Sequence, residues 1–249
     1  MDSVRVLVKN SDSAYHARVS IDLGTDDHLP SGAPSFLLRG IFHVHTNASK
    51  DCRMSVETVI AKCIDEGVDI LAVTDHHSVQ GARELQRKAP FQVIVGEEVL
   101  TAEGGEIIGL FLQECIPQGR PATDVIREIR LQGGLMYLPH PFDRLRTKRW
   151  PPSLRASVLQ AADILEVFNA RSLTHTPERR ATATVEQLGK VACAGADAHF
   201  PREIGPTVVL LPPFSTPETL LASLRAAHFR CQRSPRWVLP ATKLIELTR

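Results

Sequence analysis

The stretch FLLRGIFHVHTNASKD, residues 36–51, decides the reading of this chain. It opens as an apolar run, 36–44, of the kind that forms a buried β-strand. It ends in His43 and His45, one residue apart, with Asp51 six positions after the second histidine. Imidazoles and carboxylates are the side chains that hold zinc, manganese or iron. On an extended strand His43 and His45 point to the same side and can share one ion. The arrangement recurs at Thr74-Asp75-His76, Gly96-Glu97-Glu98, Pro139-His140-Pro141 and Gly195-Ala196-Asp197-Ala198-His199, each where an apolar run gives way to a loop. A metal site is therefore the first expectation, and the fold has to explain how these groups meet.

Working outward, 55–66 reads as a helix with Val56, Val59, Ile60, Cys63 and Ile64 on one face and Gly67 ending it. A strand follows at 69–74, and further strands are expected at 91–96, 107–112, 135–138, 163–168, 190–194 and 207–211. Helices are expected between them at 79–88, 123–132, 152–162 and 177–188, with a last one at 217–227. Thr123 is a candidate cap, and Thr176-Pro177 and Thr216-Pro217 place proline at a first helical position. Before all of this, 4–9 and 15–21 alternate as short strands, and Gly24, Pro30, Gly32 and Pro34 mark a linker. The expected organisation is a small β extension and linker, 1–35, then one β/α domain, 36–249.

Repeated strand-helix alternation implies parallel strands, in an open sheet or a closed barrel. The polar groups favour the barrel. They sit at the C-terminal ends of at least five strands, and in a β/α barrel those ends converge on one face. An open sheet would spread them along an edge.

Composition narrows the function classes. With 249 residues and 43% apolar side chains, the chain has enough material for a full core. Lys plus Arg number 29 against 28 Asp plus Glu, so net charge makes no global case for nucleic acid. The five cysteines are odd in number and lack C-x-x-C spacing, which argues against a disulfide framework or thiolate zinc ribbon and for a reducing cytoplasm. Charges interrupt the N-terminal residues too early for a signal peptide, and no run is long enough to span a membrane.

Of Glu97 and Glu98, only one can enter the barrel mouth, because successive strand residues face opposite sides. Composition leaves that choice open. Glu166-Val167-Phe168-Asn169-Ala170-Arg171 ends another strand, and Arg171 has the fork that suits a phosphate, with an ordinary surface ion pair as the competing reading. Asn169 and Arg202 are the other candidate substrate contacts. Arg144, Arg146, Lys148 and Arg149 form a basic run with Trp150 available for base stacking, although most such runs are solvated loops. The cysteines read as small apolar fillers.

Taken together, H-V-H-T (43–46), S-K-D (49–51), T-D-H (74–76), G-E-E-V (96–99), the histidine of Pro139-His140-Pro141, and G-A-D-A-H (195–199) resemble the PHP (polymerase and histidinol phosphatase) family of metal-dependent phosphoesterases. The resemblance covers about residues 40–205 and leaves both ends of the chain outside it. It implies a distorted (β/α)7 TIM-like barrel carrying two or three divalent ions, manganese, zinc or iron. By motif it assigns metal binding to His43, His45, Asp51, His76, Glu98, His140, Asp197 and His199, and selects Glu98 over Glu97 as a bridging ligand. Where relatives often have a histidine before the strand at 107, this chain has Glu106. A carboxylate there is a candidate ligand favouring harder ions, and the alternative is a second ion that has lost a ligand.

The function this implies is hydrolysis of a phosphomonoester of a small metabolite or nucleotide. The ions would activate water near neutral pH and clamp the phosphate oxygens. Asp75 and Asp197 are the candidate catalytic carboxylates, Asp75 orienting a ligand or relaying a proton. Cleavage of short oligonucleotides and a noncatalytic metal-binding module are the alternatives. The sequence leaves the oligomeric state open.

Overall fold

The computed structural model describes residues 36–143 and 150–248, and the backbone of 3–9 and 18–22. Two strands come first, β1 (Ser3–Lys9) and β2 (Arg18–Asp22), followed by β3 (Leu38–Val44). The alternation that follows is α1 (Val56–Asp65), β4 (Ile70–Val73), α2 (Gln80–Lys88) and β5 (Gln92–Leu100). Next come β6 (Glu106–Leu110), α3 (Ala122–Leu131), β7 (Leu135–Leu138), α4 (Pro152–Ala161), β8 (Ile164–Asn169), α5 (Thr176–Leu188) and β9 (Val191–Gly195). The chain ends with β10 (Val208–Leu211), α6 (Pro217–Arg225), β11 (His228–Gln232) and α7 (Val238–Leu247).

The fold is α/β, with β3 to β9 hydrogen-bonded in sequence order as a seven-stranded ring. The ring closes at its upper end, where Ala196 N donates to Phe42 O (2.9 Å) and His45 N donates to Ala198 O (2.9 Å). At its lower end the same edge of β3 is taken by β10, with Leu210 opposite Arg39. Strands β10, β11, β1 and β2 therefore leave the barrel as an antiparallel extension. Dividing one edge of β3 between two partners lets a barrel and an open sheet share a strand.

Besides β10, which is antiparallel to β3, one strand within the ring departs from the all-parallel expectation. β6 runs antiparallel to both β5 and β7. Only residues 101–105 join β5 to β6, too few for the helical crossover that a parallel pair needs. Thr101 closes this turn by donating its hydroxyl to Gly105 O at 2.8 Å. The register sets Glu106 opposite Leu100 and Glu98 opposite Ile108, so both glutamates rise toward the barrel mouth.

The core on the two faces of the barrel sheet holds Ile41, Leu71, Ile94, Ile108, Leu138 and Phe168 among others, all buried. Ser55 caps α1 by accepting from Thr58 N, and Thr216 caps α6 by accepting from Thr219 N. Thr123 instead lies within α3, whose cap is Pro121, and His175 rather than Thr176 precedes α5. Trp150 is also a correction: it is buried in the core, and a Cβ at Gly105 would overlap its ring, so it has no face for a base. The basic run 144–149 and the linker 24–34 lie outside the described residues. Cys52, Cys63, Cys193 and Cys231 are buried fillers, whereas Cys115 is exposed. Among the described residues no helix is long and apolar enough to cross a membrane.

Candidate metal centre

The strand ends deliver their side chains through local distortion. β3 loses register between Ile41 and Val44, and His43 sits at φ 63°. His140 (φ 29°) and Asp197 (φ 49°) are also left-handed. Non-glycine residues at positive φ are uncommon and mark sites where surrounding structure holds the strain. Simple alternation along an extended strand is thus not what brings His43 and His45 together. The kink at His43 turns its ring inward beside that of His45, with 5.2 Å between centroids.

Eight of the nine expected metal residues converge in three overlapping groups: His45, Asp51, His76 and His199; His43, Glu98 and His140; and His43, His45 and Asp197. Within each group the ligand atoms lie within 4.8 Å of one another. Glu98 joins them. Its Oε2 is 3.2 Å from His43 Nε2, 3.4 Å from His45 Nε2 and 3.6 Å from His76 Nδ1, while its Oε1 is 3.2 Å from His140 Nε2. Glu97 faces away, accepting from Ile116 N (2.7 Å) and Cys115 Sγ (3.1 Å). Glu106, the ninth, comes within 3.9 Å of His140 Nε2 at the edge of the cluster.

Outer carboxylates fix the imidazoles. Glu166 Oε1 lies 2.9 Å from His43 Nδ1. A proton on Nδ1 donated to Glu166 leaves the Nε2 lone pair facing Glu98 and Asp197, the carboxylate-histidine arrangement that supports a metal ligand. The same Glu166 accepts from Tyr137 OH (2.8 Å), His140 N (2.7 Å) and Asn169 Nδ2 (2.9 Å). Ser49 Oγ donates to Asp75 Oδ1 (3.0 Å), accepts from His76 N (2.8 Å) and lies 3.2 Å from His45 Nδ1. That leaves His45 Nε2 buried and without a hydrogen-bond partner, and Asp51 Oδ1 is in the same position. Orphaned buried polar atoms are rare and costly. Both belong to the four-residue group His45, Asp51, His76 and His199, so a divalent ion fits the residues present.

Electrostatics agree with that fit. Burial opposes charge on His43, yet Asp197, Glu98 and Glu166 drive its pKa well above the ordinary value. His76, also opposed by burial, is raised to about 10 by Glu98 and Asp51. His45 is pushed well below its usual value by burial and by the neighbouring His199 and His76. Against the penalty of burial, Asp51 is lowered by His199 and His76, and Glu98 by His43 and His76. The carboxylates around His43 and His76 thus favour positive charge at the centre of the cluster, which is what a divalent ion would supply.

Of the remaining candidates, Asp75, Asn169 and Arg171 brace the cluster from behind, and Arg202 lies away from it. Asp75 is fully buried and accepts from Thr46 N (2.5 Å), Thr46 Oγ1 (2.8 Å) and Ser49 Oγ, which pins the loop after β3. Through Ser49 it orients the ligand His45. Asn169 Nδ2 donates to Glu166 and to Asp197 Oδ2 (3.1 Å), which sets the angle of Asp197. Arg171 is buried: Nε donates to Glu203 Oε1 (3.0 Å), Nη2 donates to Thr242 Oγ1 and to Val238 O (3.3 Å), and Nη1 lies 3.1 Å from His199 Nδ1. Its fork clamps α7 behind His199 and does not reach a substrate. Arg202 lies over the Trp237 ring, 5.6 Å from its centroid, and borders a different cavity.

The open face of the cluster is a cleft of about 640 Å³ bordered by Asp51, His76, Glu98, Glu106 and His140. Its rim brings in residues that sequence reasoning missed: His77, Lys50 and, from α7, Lys243 and Glu246. Glu166 was noticed only as part of a strand end. Its signal was Gly195, where a Cβ would overlap Glu166 Oε1.

A distorted barrel whose strand ends gather imidazoles and carboxylates around one open cleft is the architecture of a divalent-metal hydrolase. The PHP domain profile matches residues 42–138, and the PHP-associated profile matches 175–229. Two uncharacterized proteins of Methanocaldococcus jannaschii are similar: one is 34% identical over 66% of this chain and 66% of its own, the other 32% identical over 42% of this chain and 68% of its own. The chain spans about two thirds of the length of these relatives. Among solved structures, a two-domain protein from Bacteroides vulgatus containing a predicted PHP-like metal-dependent phosphoesterase superposes with a TM-score of 0.65 at 17% identity, over 89% of this chain and 74% of that one. Endonuclease Q, solved with a 27-mer duplex substrate carrying an abasic lesion, gives 0.56 at 14% identity, over 76% of this chain and 57% of its own. The chain belongs to the PHP family of metal-dependent phosphoesterases.

Two outcomes follow from this geometry. Gly195→Ala forces Glu166 off His43; overpacking of this kind costs ~1–3 kcal/mol, so calorimetry should record a lower melting temperature together with weaker manganese binding. Because His43 and His76 are held protonated without metal and must be neutral to coordinate, manganese binding should release protons and tighten as pH rises. Titration from about pH 6 to about pH 8 should gain more than roughly tenfold in affinity per pH unit if more than one proton leaves. An affinity independent of pH would contradict the assignment.

Proposed function

We propose that this protein hydrolyses a phosphomonoester of a small metabolite or nucleotide, using two or three divalent ions of the manganese, zinc or iron group. The observation that carries the reading is Glu98, whose two oxygens face separate donor groups on the floor of a single cleft. A cleft of about 640 Å³ is the size of a small-molecule site.

When bound, the ions supply an activated water and positive charge for the phosphoryl oxygens. His43, His45, Asp51, His76, Glu98, His140, Asp197 and His199 would hold them, with Glu106 as a further donor at the edge. Glu166 and Asn169 keep His43 and Asp197 aimed inward. Arg171 and Arg202 being placed elsewhere, the cations on the rim among the described residues are Lys50 and Lys243. Lys243 is held 2.6 Å from Glu246 on its own helix, so an incoming phosphate exchanges one carboxylate partner for a more highly charged one. Charged hydrogen bonds from the rim act on substrate and transition state alike and so serve binding more than rate.

The family likeness to Endonuclease Q keeps an oligonucleotide substrate as the second reading. Phosphate release by the manganese-loaded chain across sugar phosphates, nucleoside monophosphates, bisphosphates and short oligonucleotides separates the two, with His43→Ala in parallel. Monoester turnover that disappears in the variant is the expected result. Cleavage of oligonucleotides alone would replace it with the second reading, and no turnover by a metal-loaded chain would favour a noncatalytic module. On the accepted substrate, Lys243→Ala should raise KM about tenfold with kcat little changed; an unchanged KM would remove Lys243 from the substrate contacts.

A further inference from the structure

A second cavity, of about 480 Å³, lies apart from the metal cleft, between the segment after β8 and the segment before α7. Among the described residues its lining carries Arg202, Arg233, Arg236 and His175, against one carboxylate, Glu203. That carboxylate is already engaged: Oε1 accepts from Arg171 Nε (3.0 Å), and Oε2 accepts from His199 N (2.9 Å) and Phe200 N (3.1 Å). Arg233 is fixed in place, donating to Ser172 O, Thr174 O (3.1 Å) and Glu178 Oε1 (2.7 Å). Its ion pair with Glu178 neutralises it in part, so the excess positive charge comes from the exposed pair Arg202 and Arg236. Arg202 lies over the Trp237 ring, 5.6 Å from its centroid, and Trp237 is itself 46% exposed and packs edge-on against Phe200. A guanidinium already ordered on an aromatic face loses less freedom when it binds an oxyanion than one moving in solvent.

We propose that this arginine-lined cavity is a second binding site, for the phosphoryl group of a small phosphorylated ligand. The site is distinct from the metal cleft, because the two cavities share no lining residue. Planar guanidinium forks match the paired oxygens of a phosphoryl group, which is why arginine rather than lysine suits this task. The volume is that of a small-molecule pocket, too confined for a duplex.

The test is titration of inorganic phosphate into the manganese-loaded full chain, followed by calorimetry, on wild type, His43→Ala and the Arg202→Gln/Arg236→Gln pair. Both arginines are exposed, so the paired variant should fold normally, and a thermal melt checks this. The expected result is a phosphate site that persists in His43→Ala and weakens at least tenfold in the arginine pair, while metal content stays unchanged. This readout needs no turnover, so it stands or falls independently of the hydrolase reading. Phosphate binding lost in His43→Ala and retained by the arginine pair would overturn the proposal. So would a 5′-hydroxyl oligonucleotide, which offers only diesters, binding more tightly than phosphate and depending on the same arginines.

Discussion

The buried carboxylate of Glu166 is the constraint on which the rest of the site depends. It joins β8 to His43 on β3, to Tyr137 on β7 and to the backbone of His140 just past β7, with Asn169 as a fourth donor. A buried carboxylate is tolerated only when its acceptor capacity is filled, and here four donors fill it. The stabilisation of that charge and the orientation of the first imidazole are therefore the same set of hydrogen bonds. Space for it comes from Gly195 on β9, the strand that returns to β3 and closes the barrel. Barrel closure and ligand orientation are thereby linked through one residue.

Around this point the fold stores strain and charge that only make sense with a ligand present. His43, His140 and Asp197 sit in left-handed backbone, each at the top of a strand. Conformations of that kind cost of order 1–3 kcal/mol each and persist where the surroundings over-determine them. Asp51, Glu98 and Asp197 crowd against imidazoles, and the pKa values of His43 and His76 are raised by these carboxylates. Divalent cations would relieve the same imbalance.

Much of this was legible in the sequence, and the failures have physical reasons. The barrel and its strand-end groups could be read because apolar runs ending in histidine or carboxylate are local patterns. Glu98 was open until the family motif chose it, and the β5–β6 register then placed it inward. The antiparallel β6 is hidden in the sequence because the strand expected at 91–96 stops short of the end of β5 at Leu100, so the connection reads as 97–106 where the structure has only 101–105, too short for a crossover helix. Strand β11 alternates over only five residues, His228–Gln232, and α7 carries a proline inside its first turn, so neither stands out in the sequence, and with α7 went Lys243. Arg171 and Arg202 are substrate candidates in the sequence by guanidinium chemistry and by their positions just past strand-end motifs. Whether a guanidinium faces a cleft or a buried glutamate depends on residues far away in sequence, such as Glu203 and Thr242, and no local pattern encodes that.

The most direct measurement is metal content. After loading with manganese and exhaustive dialysis, elemental analysis of the wild-type chain beside Glu98→Gln reads how many ions the cluster holds and whether Glu98 joins them. Two or more ions per chain in the wild type, falling by at least one in Glu98→Gln with the melting profile retained, is the result this account predicts. Fewer than one ion in the wild type, or a stoichiometry that the substitution leaves unchanged, would contradict it.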